Sequence, residues 1–159
     1  MIVKSLRLGQ LEIPDDKIIN TEKPILGFEH LCRYCLVEVD ELRPFLWMQS
    51  TEDPAVAFLV VNPRVFYPDY RIEVNSKEIA ELKVDCVETV ETYVIATLPD
   101  DPRHMSVNLQ GPIIINTANN KAKQLILVNS DYQIAHRILD TLPEEPETAP
   151  VECLEPAGV

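Results

Sequence analysis

Short apolar runs separated by turn residues recur along the chain, and each predicts a strand. The runs are Ile2 to Leu8, Gly9 to Ile13, Tyr34 to Val39, Phe45 to Ser50, Val56 to Asn62, Tyr70 to Val74, Thr92 to Leu98, Met105 to Asn108, Pro112 to Thr117 and Gln124 to Leu127. In the first run Ile2, Lys4, Leu6 and Leu8 share one face, and Val3, Ser5 and Arg7 the other. Phe58 to Val61 and Ile113 to Ile115 are apolar at every position, which predicts strands covered on both faces. Asn119-Asn120 predicts a tight turn joining the last two strands, because Asn tolerates positive φ. Helical signals are few. Ser76 is placed to cap a short helix over Lys77 to Leu82, with Ile79 and Leu82 on one face, and Glu29 to Tyr34 has room for one turn. The pattern therefore predicts a mostly β, small single-domain barrel-like fold with one or two short helices.

Composition adds a boundary and a sign. Among the 159 residues 46% are hydrophobic and 25% charged, ordinary values for a chain that buries its own core. Acids outnumber bases 26 to 14, for a formal charge of -12. From Asp140 to Val159 there are six acids and no base, with Pro143, Pro146, Pro150 and Pro156. Residues 1–139 thus read as one folded domain and residues 140–159 as an acidic, Pro-rich, disordered tail. The tail is open to two readings, a decoy for a basic partner surface or a solubilising end. The acid excess argues against direct nucleic-acid binding, which rests on phosphate contacts, and against anionic lipid. It suits a basic protein partner. No run is apolar for the roughly 18 residues a membrane helix needs, and Met1 to Arg7 has no signal-peptide pattern. A cytoplasmic protein with reduced cysteines is expected.

Catalytic and metal chemistry find little support. Cys32-Arg33-Tyr34-Cys35 has redox spacing, but it enters a strand instead of opening a helix. A zinc site needs a second pair, and Cys86 and Cys153 stand alone, so neither metal nor cofactor is expected. His30, His104 and His136 form no metal-ligand motif. Ser50, Ser76, Ser106 and Ser130 lie in no nucleophile elbow, and four glycines leave no phosphate-cradling loop. Glu52-Asp53 and Asp100-Asp101 precede prolines, as turn residues do.

Phe66-Tyr67-Pro68-Asp69-Tyr70 holds three of the ten aromatic residues. Pro68 interrupts a strand, so the rings do not all enter a core at period two. Aromatics on a stiff non-strand segment suit a partner-binding surface, and Phe66, Tyr67, Pro68, Asp69 and Tyr70 are the candidate residues. The competing reading is a loop folded over the end of the barrel. Trp47 lies mid-run between Leu46 and Met48, as a core residue would.

Gly27-Phe28-Glu29, Pro44-Phe45-Leu46-Trp47-Met48-Gln49-Ser50, Asp53-Pro54, Ala57-Phe58, Val61-Asn62-Pro63, Phe66 and Pro68-Asp69-Tyr70 carry a resemblance to the FliW family of flagellar assembly factors. It continues through Asn108-Leu109, Pro112-Ile113-Ile114-Ile115-Asn116, Lys123-Gln124 and Ser130-Asp131-Tyr132. Ala122, Ala135-His136-Arg137, the Cys32 and Cys35 pair and the acidic tail depart from the family pattern. The resemblance implies a non-enzymatic binding protein with two partners. One is flagellin before export. The other is the carbon storage regulator CsrA, a small RNA-binding dimer that represses flagellin translation. Flagellin captures the protein and frees CsrA; once flagellin is exported, the protein sequesters CsrA and translation resumes. A monomer is expected when neither is bound.

Two alternatives remain open. One is a barrel that binds a small molecule or acts as an enzyme, for which Asn62, Asn108 and Asn116 are the candidate inward polar groups. The other is a chaperone that binds flagellin and never touches CsrA.

Overall fold

A computed structural model describes residues 1–21, 23–72, 77, 80–84, 87–127, 132 and 135–137. Its strands are β1 (Ile2–Ser5), β2 (Gly9–Glu12), β3 (Ile19–Thr21), β4 (Arg33–Glu38), β5 (Leu46–Ser50), β6 (Ala57–Val61), β7 (Val90–Thr97), β8 (Ser106–Val107), β9 (Ile113–Asn116), β10 (Lys121–Gln124) and β11 (His136–Arg137). β3, β4, β5, β6, β7, β9 and β10 pair in that order, and β10 pairs back onto β3, closing a seven-stranded barrel. All these pairings are antiparallel except β10 with β3. The mostly β barrel expected from the sequence is the fold observed.

β7 explains the closure. Its first half, Val90 to Tyr93, pairs with β9, while Ala96 and Thr97 pair with β8. Between the pairs Tyr93↔Ile113 and Ala96↔Val107, β7 advances three residues and its partner six. The three extra residues form a bulge between β8 and β9. Asn108 Oδ1 accepts the N–H groups of Gln110 and Gly111 there, at 3.1 and 3.0 Å. A Cβ on Gly111 would stand 3.0 Å from the side-chain nitrogens of Asn108 and Gln124, so any larger residue there would have to push those amides aside by a few tenths of an ångström.

Side chains from all seven barrel strands meet inside. Ile19, Tyr34, Met48, Val60, Ile113, Ile115 and Ala122 are buried together, with Tyr93 and Ile95 beside them, and Ile25 and Leu31 from the β3–β4 connection join the same cluster. The opposite faces of β5, β6, β7 and β9 carry a second cluster that includes Trp47, Leu59, Val61, Val94, Ala96 and Ile114. Phe66, Tyr70, Leu82, Leu109, Leu125 and Leu127 cover it. A third, small cluster joins Val3 and Ile18 to Cys35, so the β1–β2 hairpin covers the outside of β4.

Several expected boundaries move. β1 stops at Ser5 instead of Leu8, because Ser5 Oγ accepts the N–H groups of Arg7 and Leu8 and turns the chain. Val3 and Ser5 face the core and Ile2, Lys4 and Leu6 face solvent. Glu29 and His30 lie in a turn, and Arg33 and Tyr34 already belong to β4, so the helical turn over Glu29 to Tyr34 does not form. Tyr70 to Ile72 has no strand pairing, and the rest of that run, 73–74, lies outside the described residues. Lys77 and Ala80 are helical, as expected, but Glu81 and Leu82 already lie in a turn; Ser76 and Ile79 lie outside the described residues, as does the tail 140–159. The Asn119-Asn120 turn forms with Asn120 at φ 59°. The strand expected over Gln124 to Leu127 begins earlier, at Lys121. Leu125 and Leu127 still donate N–H groups to the carbonyls of Pro112 and Gln110, both at 2.8 Å, in the register of β9 with β10. Pro112 has no N–H to return, and regular pairing ends there.

Candidate partner-binding surface

The segment after β6 turns at once. Asn62 Oδ1 accepts the N–H of Arg64 at 3.0 Å and caps a 3-10 turn over Pro63–Val65. Phe66 and Tyr67 donate their N–H groups to the Pro63 carbonyl at 3.3 and 2.9 Å, and Tyr70 donates to the Tyr67 carbonyl at 3.0 Å. Two consecutive turns, in place of an extended run, bring the rings at positions 66 and 70 to the same side.

That geometry corrects the expectation of three presented rings. Phe66 is 4% exposed and Tyr70 1% exposed, and both belong to the outer core. The Tyr70 hydroxyl donates to the Leu109 carbonyl at 2.6 Å, and burial raises its pKa far above the usual phenol value. Arg64 Nε donates to the Tyr70 carbonyl at 3.2 Å and holds the loop from outside. Tyr67 is half-buried, Pro68 and Asp69 are exposed, and Val65 is also exposed beside them. The exposed side of this segment is therefore Asn62, Arg64, Val65, Pro68 and Asp69, with Tyr67 half-buried among them.

Tyr132 joins the cluster across the chain. Its ring lies 4.6 Å from Tyr70 and 5.6 Å from Tyr67, centroid to centroid, and its oxygen accepts the Arg71 N–H at 2.8 Å. Tyr67 meets Tyr70 and Tyr132 edge-on, the arrangement the ring quadrupoles favour. No local spacing signals this contact, since 61 residues separate Arg71 from Tyr132.

The other residues singled out from the sequence build loops. Gln49 is buried, and its Nε2 donates to the carbonyl of Ser50 at 3.0 Å, with those of Asp53, Pro54 and Val56 within 3.4 Å. Ser50 Oγ accepts the N–H groups of Glu52 and Asp53. Glu52 Oε1 in turn accepts those of Cys32 and Arg33. The Gln49-Ser50 and Asp53-Pro54 pattern thus shapes the β5–β6 connection and ties it to the start of β4. Asn116 is 1% exposed; its Nδ2 donates to the carbonyls of Leu82 and Lys83, and its Oδ1 accepts from Thr89 Oγ1 and the Ala118 N–H. Asn62, Asn108 and Asn116, the three candidates for a polar cavity, all engage their amides in turns.

Trp47 is half-buried on the outer cluster, with the Arg7 guanidinium carbon 4.4 Å from its ring centroid. Cys32 is exposed and Cys35 buried, so the two thiols face different surroundings. Burial pushes the Cys35 thiol up and the Tyr34 hydroxyl up to about 12, the latter with help from the Glu52 carboxylate. Among the described residues no group of three His, Cys, Asp or Glu side chains converges on a metal position, and no helix is long and apolar enough to cross a membrane.

Residues 2–138, the stretch that holds the barrel and its outer core, match the family model for the FliW protein. The chain belongs to the FliW family. It is 38% identical to the flagellar assembly factor FliW of Thermoanaerobacter pseudethanolicus over 143 residues, 89% of this chain and 95% of that protein. It is 38% identical to the FliW of Thermosipho africanus over 133 residues, 83% of this chain and 92% of that one. A crystal structure of the flagellar assembly factor FliW superposes with a TM-score of 0.82 at 30% identity, covering 91% of this chain and 99% of that one.

Proposed function

We propose that this FliW-family chain is a non-enzymatic, cytoplasmic binding protein of flagellar assembly, monomeric when unbound. It binds flagellin and antagonises the translational repressor CsrA, thereby controlling flagellin translation. The family match over residues 2–138 carries the reading. Two observations support it. The excess of 26 acids over 14 bases suits a partner whose own surface meets RNA phosphate. Asn62, Asn108 and Asn116 all serve turns, which leaves the small-molecule and enzyme alternative without its polar groups. The partner-binding surface is assigned to Tyr67, Pro68 and Asp69, with Phe66 and Tyr70 as its buried support.

The experiment is a pull-down with the purified chain as bait and purified flagellin and CsrA as separate prey. Capture of both is expected. Capture of flagellin alone would reduce the function to that of a flagellin chaperone, and capture of neither would overturn the reading.

A further inference from the structure

We propose that β2 is a strand-addition site for an extended, basic segment of a partner protein. β1 and β2 form a two-stranded sheet separate from the barrel. Ile13 donates its N–H to the Met1 carbonyl at 2.9 Å, which makes Met1 and Ile13 a hydrogen-bonded pair. In an antiparallel ladder such pairs alternate, so Val3↔Leu11 and Ser5↔Gly9 are the others. Gln10 and Glu12 therefore point their backbone N–H and C=O groups away from β1. Both residues are exposed. On the other edge of the hairpin Leu6, just past the end of β1, donates its N–H to the Pro54 carbonyl at 2.9 Å. An open edge of this kind templates a further strand.

The outward face reinforces the reading. Ile2 is 57% exposed and Leu6 79% exposed, on the side that also carries Lys4, Gln10 and Glu12. The more apolar face of β1 thus looks to solvent while Val3 and Ser5 look to the core. A strand laid beside β2 would widen this face, and three strands hold together better than two.

Charge selects the occupant. β2 carries Glu12 and no base, and Asp15 and Asp16 follow it. Lys4 stands one strand further from the edge, Lys17 follows, and the Met1 ammonium pairs with Asp15 at 3.2 Å, which leaves Glu12 and Asp16 to set the sign along the edge. Two copies of a chain with formal charge -12 repel, and edge-to-edge pairing would bring their Glu12 side chains near each other. A segment with Lys or Arg at alternate positions meets Glu12 with the opposite charge.

The test uses the 159-residue chain and a synthetic nine-residue peptide alternating lysine and valine, read by fluorescence anisotropy and amide hydrogen exchange. The peptide should bind and slow exchange at Gln10 and Glu12. Glu12→Pro deletes an N–H that makes no bond within the hairpin, so thermal stability should hold while affinity falls at least tenfold. A peptide N-methylated along its bonding edge keeps its charges and should also bind at least tenfold more weakly, a comparison that needs no change to the protein. Equal binding of the methylated peptide would show mere charge attraction and overturn the proposal. So would no binding of the plain peptide, or protection elsewhere than at Gln10 and Glu12. Neither flagellin nor CsrA enters the measurement, so its outcome is independent of the proposed function.

Discussion

Tyr70 donates its hydroxyl to the backbone carbonyl of Leu109 at 2.6 Å, and so ties the loop after β6 to the bulge that lets β7 pair with both β8 and β9. A buried phenol with a paired hydroxyl belongs to the fold before it belongs to any interface.

Tyr70 and Tyr67 are therefore expected to separate under mutation. Tyr70→Phe leaves the Leu109 carbonyl without that donor and should cost about 1–2 kcal/mol of stability, and Tyr70→Ala about 3–5 kcal/mol. Tyr67→Ala should cost less stability and weaken partner binding at least tenfold. Thermal melts beside calorimetric titration with flagellin and CsrA check both. Unchanged affinity for both partners in Tyr67→Ala would remove this surface from the interface.

Phe66 and Tyr70 also show where the sequence misleads. Pro68 rules out entry into the core at period two, but a folded loop admits rings at another spacing. The Asn62 cap and the 3-10 turn over Pro63–Val65 replace that period with one of about four residues. Patterning does reveal β6 and β9, whose runs are apolar on both faces because each lies between the inner barrel core and an outer cover. It does not reveal β3, three residues with the exposed Asn20 at the centre, whose place is fixed by pairing with β4 and β10. Nor does it reveal Tyr132, a contact made by tertiary folding alone. Gln49 and Asn116 are visible as motif residues, but their part in joining loops appears only once the strands are closed.

Asn116 should prove among the costliest polar positions to change. Its amide links the 82–83 turn, Thr89 and the β9–β10 turn in one buried place. Asn116→Asp turns an acceptor toward the Leu82 and Lys83 carbonyls and should destabilise by about 2 kcal/mol or more, at least as much as Asn116→Ala. Urea denaturation of both variants measures the effect. A loss well under 1 kcal/mol for Asn116→Asp would contradict this role.

Glu81 gives a pH signature. Lys123, almost fully buried on β10, hydrogen-bonds the Glu81 carboxylate and holds its pKa below the usual value, with Lys23 also contributing. A carboxyl depressed in the folded state adds stability that is present above its unfolded pKa and lost as pH falls through the folded one. The melting-temperature difference between wild type and Glu81→Gln should thus be greatest near neutrality and shrink below about pH 4.3. A difference that does not change between pH 7 and pH 3 would show that the ion pair is not its source.

Affinity for CsrA should fall as salt rises, mostly through a slower association rate, because screening acts over about 8 Å at physiological ionic strength. Deleting residues 140–159 removes six acids and no base. A shallower salt slope after deletion would assign part of the attraction to the tail, and an unchanged slope would assign it to residues 1–139. Salt-independent affinity would show that charge does not drive the encounter.

Competition between purified flagellin and CsrA for the purified chain tests the proposed function most directly. Labelled CsrA is first bound to the chain, and flagellin is then titrated in while the CsrA anisotropy is followed. The prediction is that flagellin releases CsrA in a saturable manner and that released CsrA again represses translation of a flagellin message in an extract. CsrA that never binds the chain, or that stays bound at saturating flagellin with repression unrestored, would contradict it.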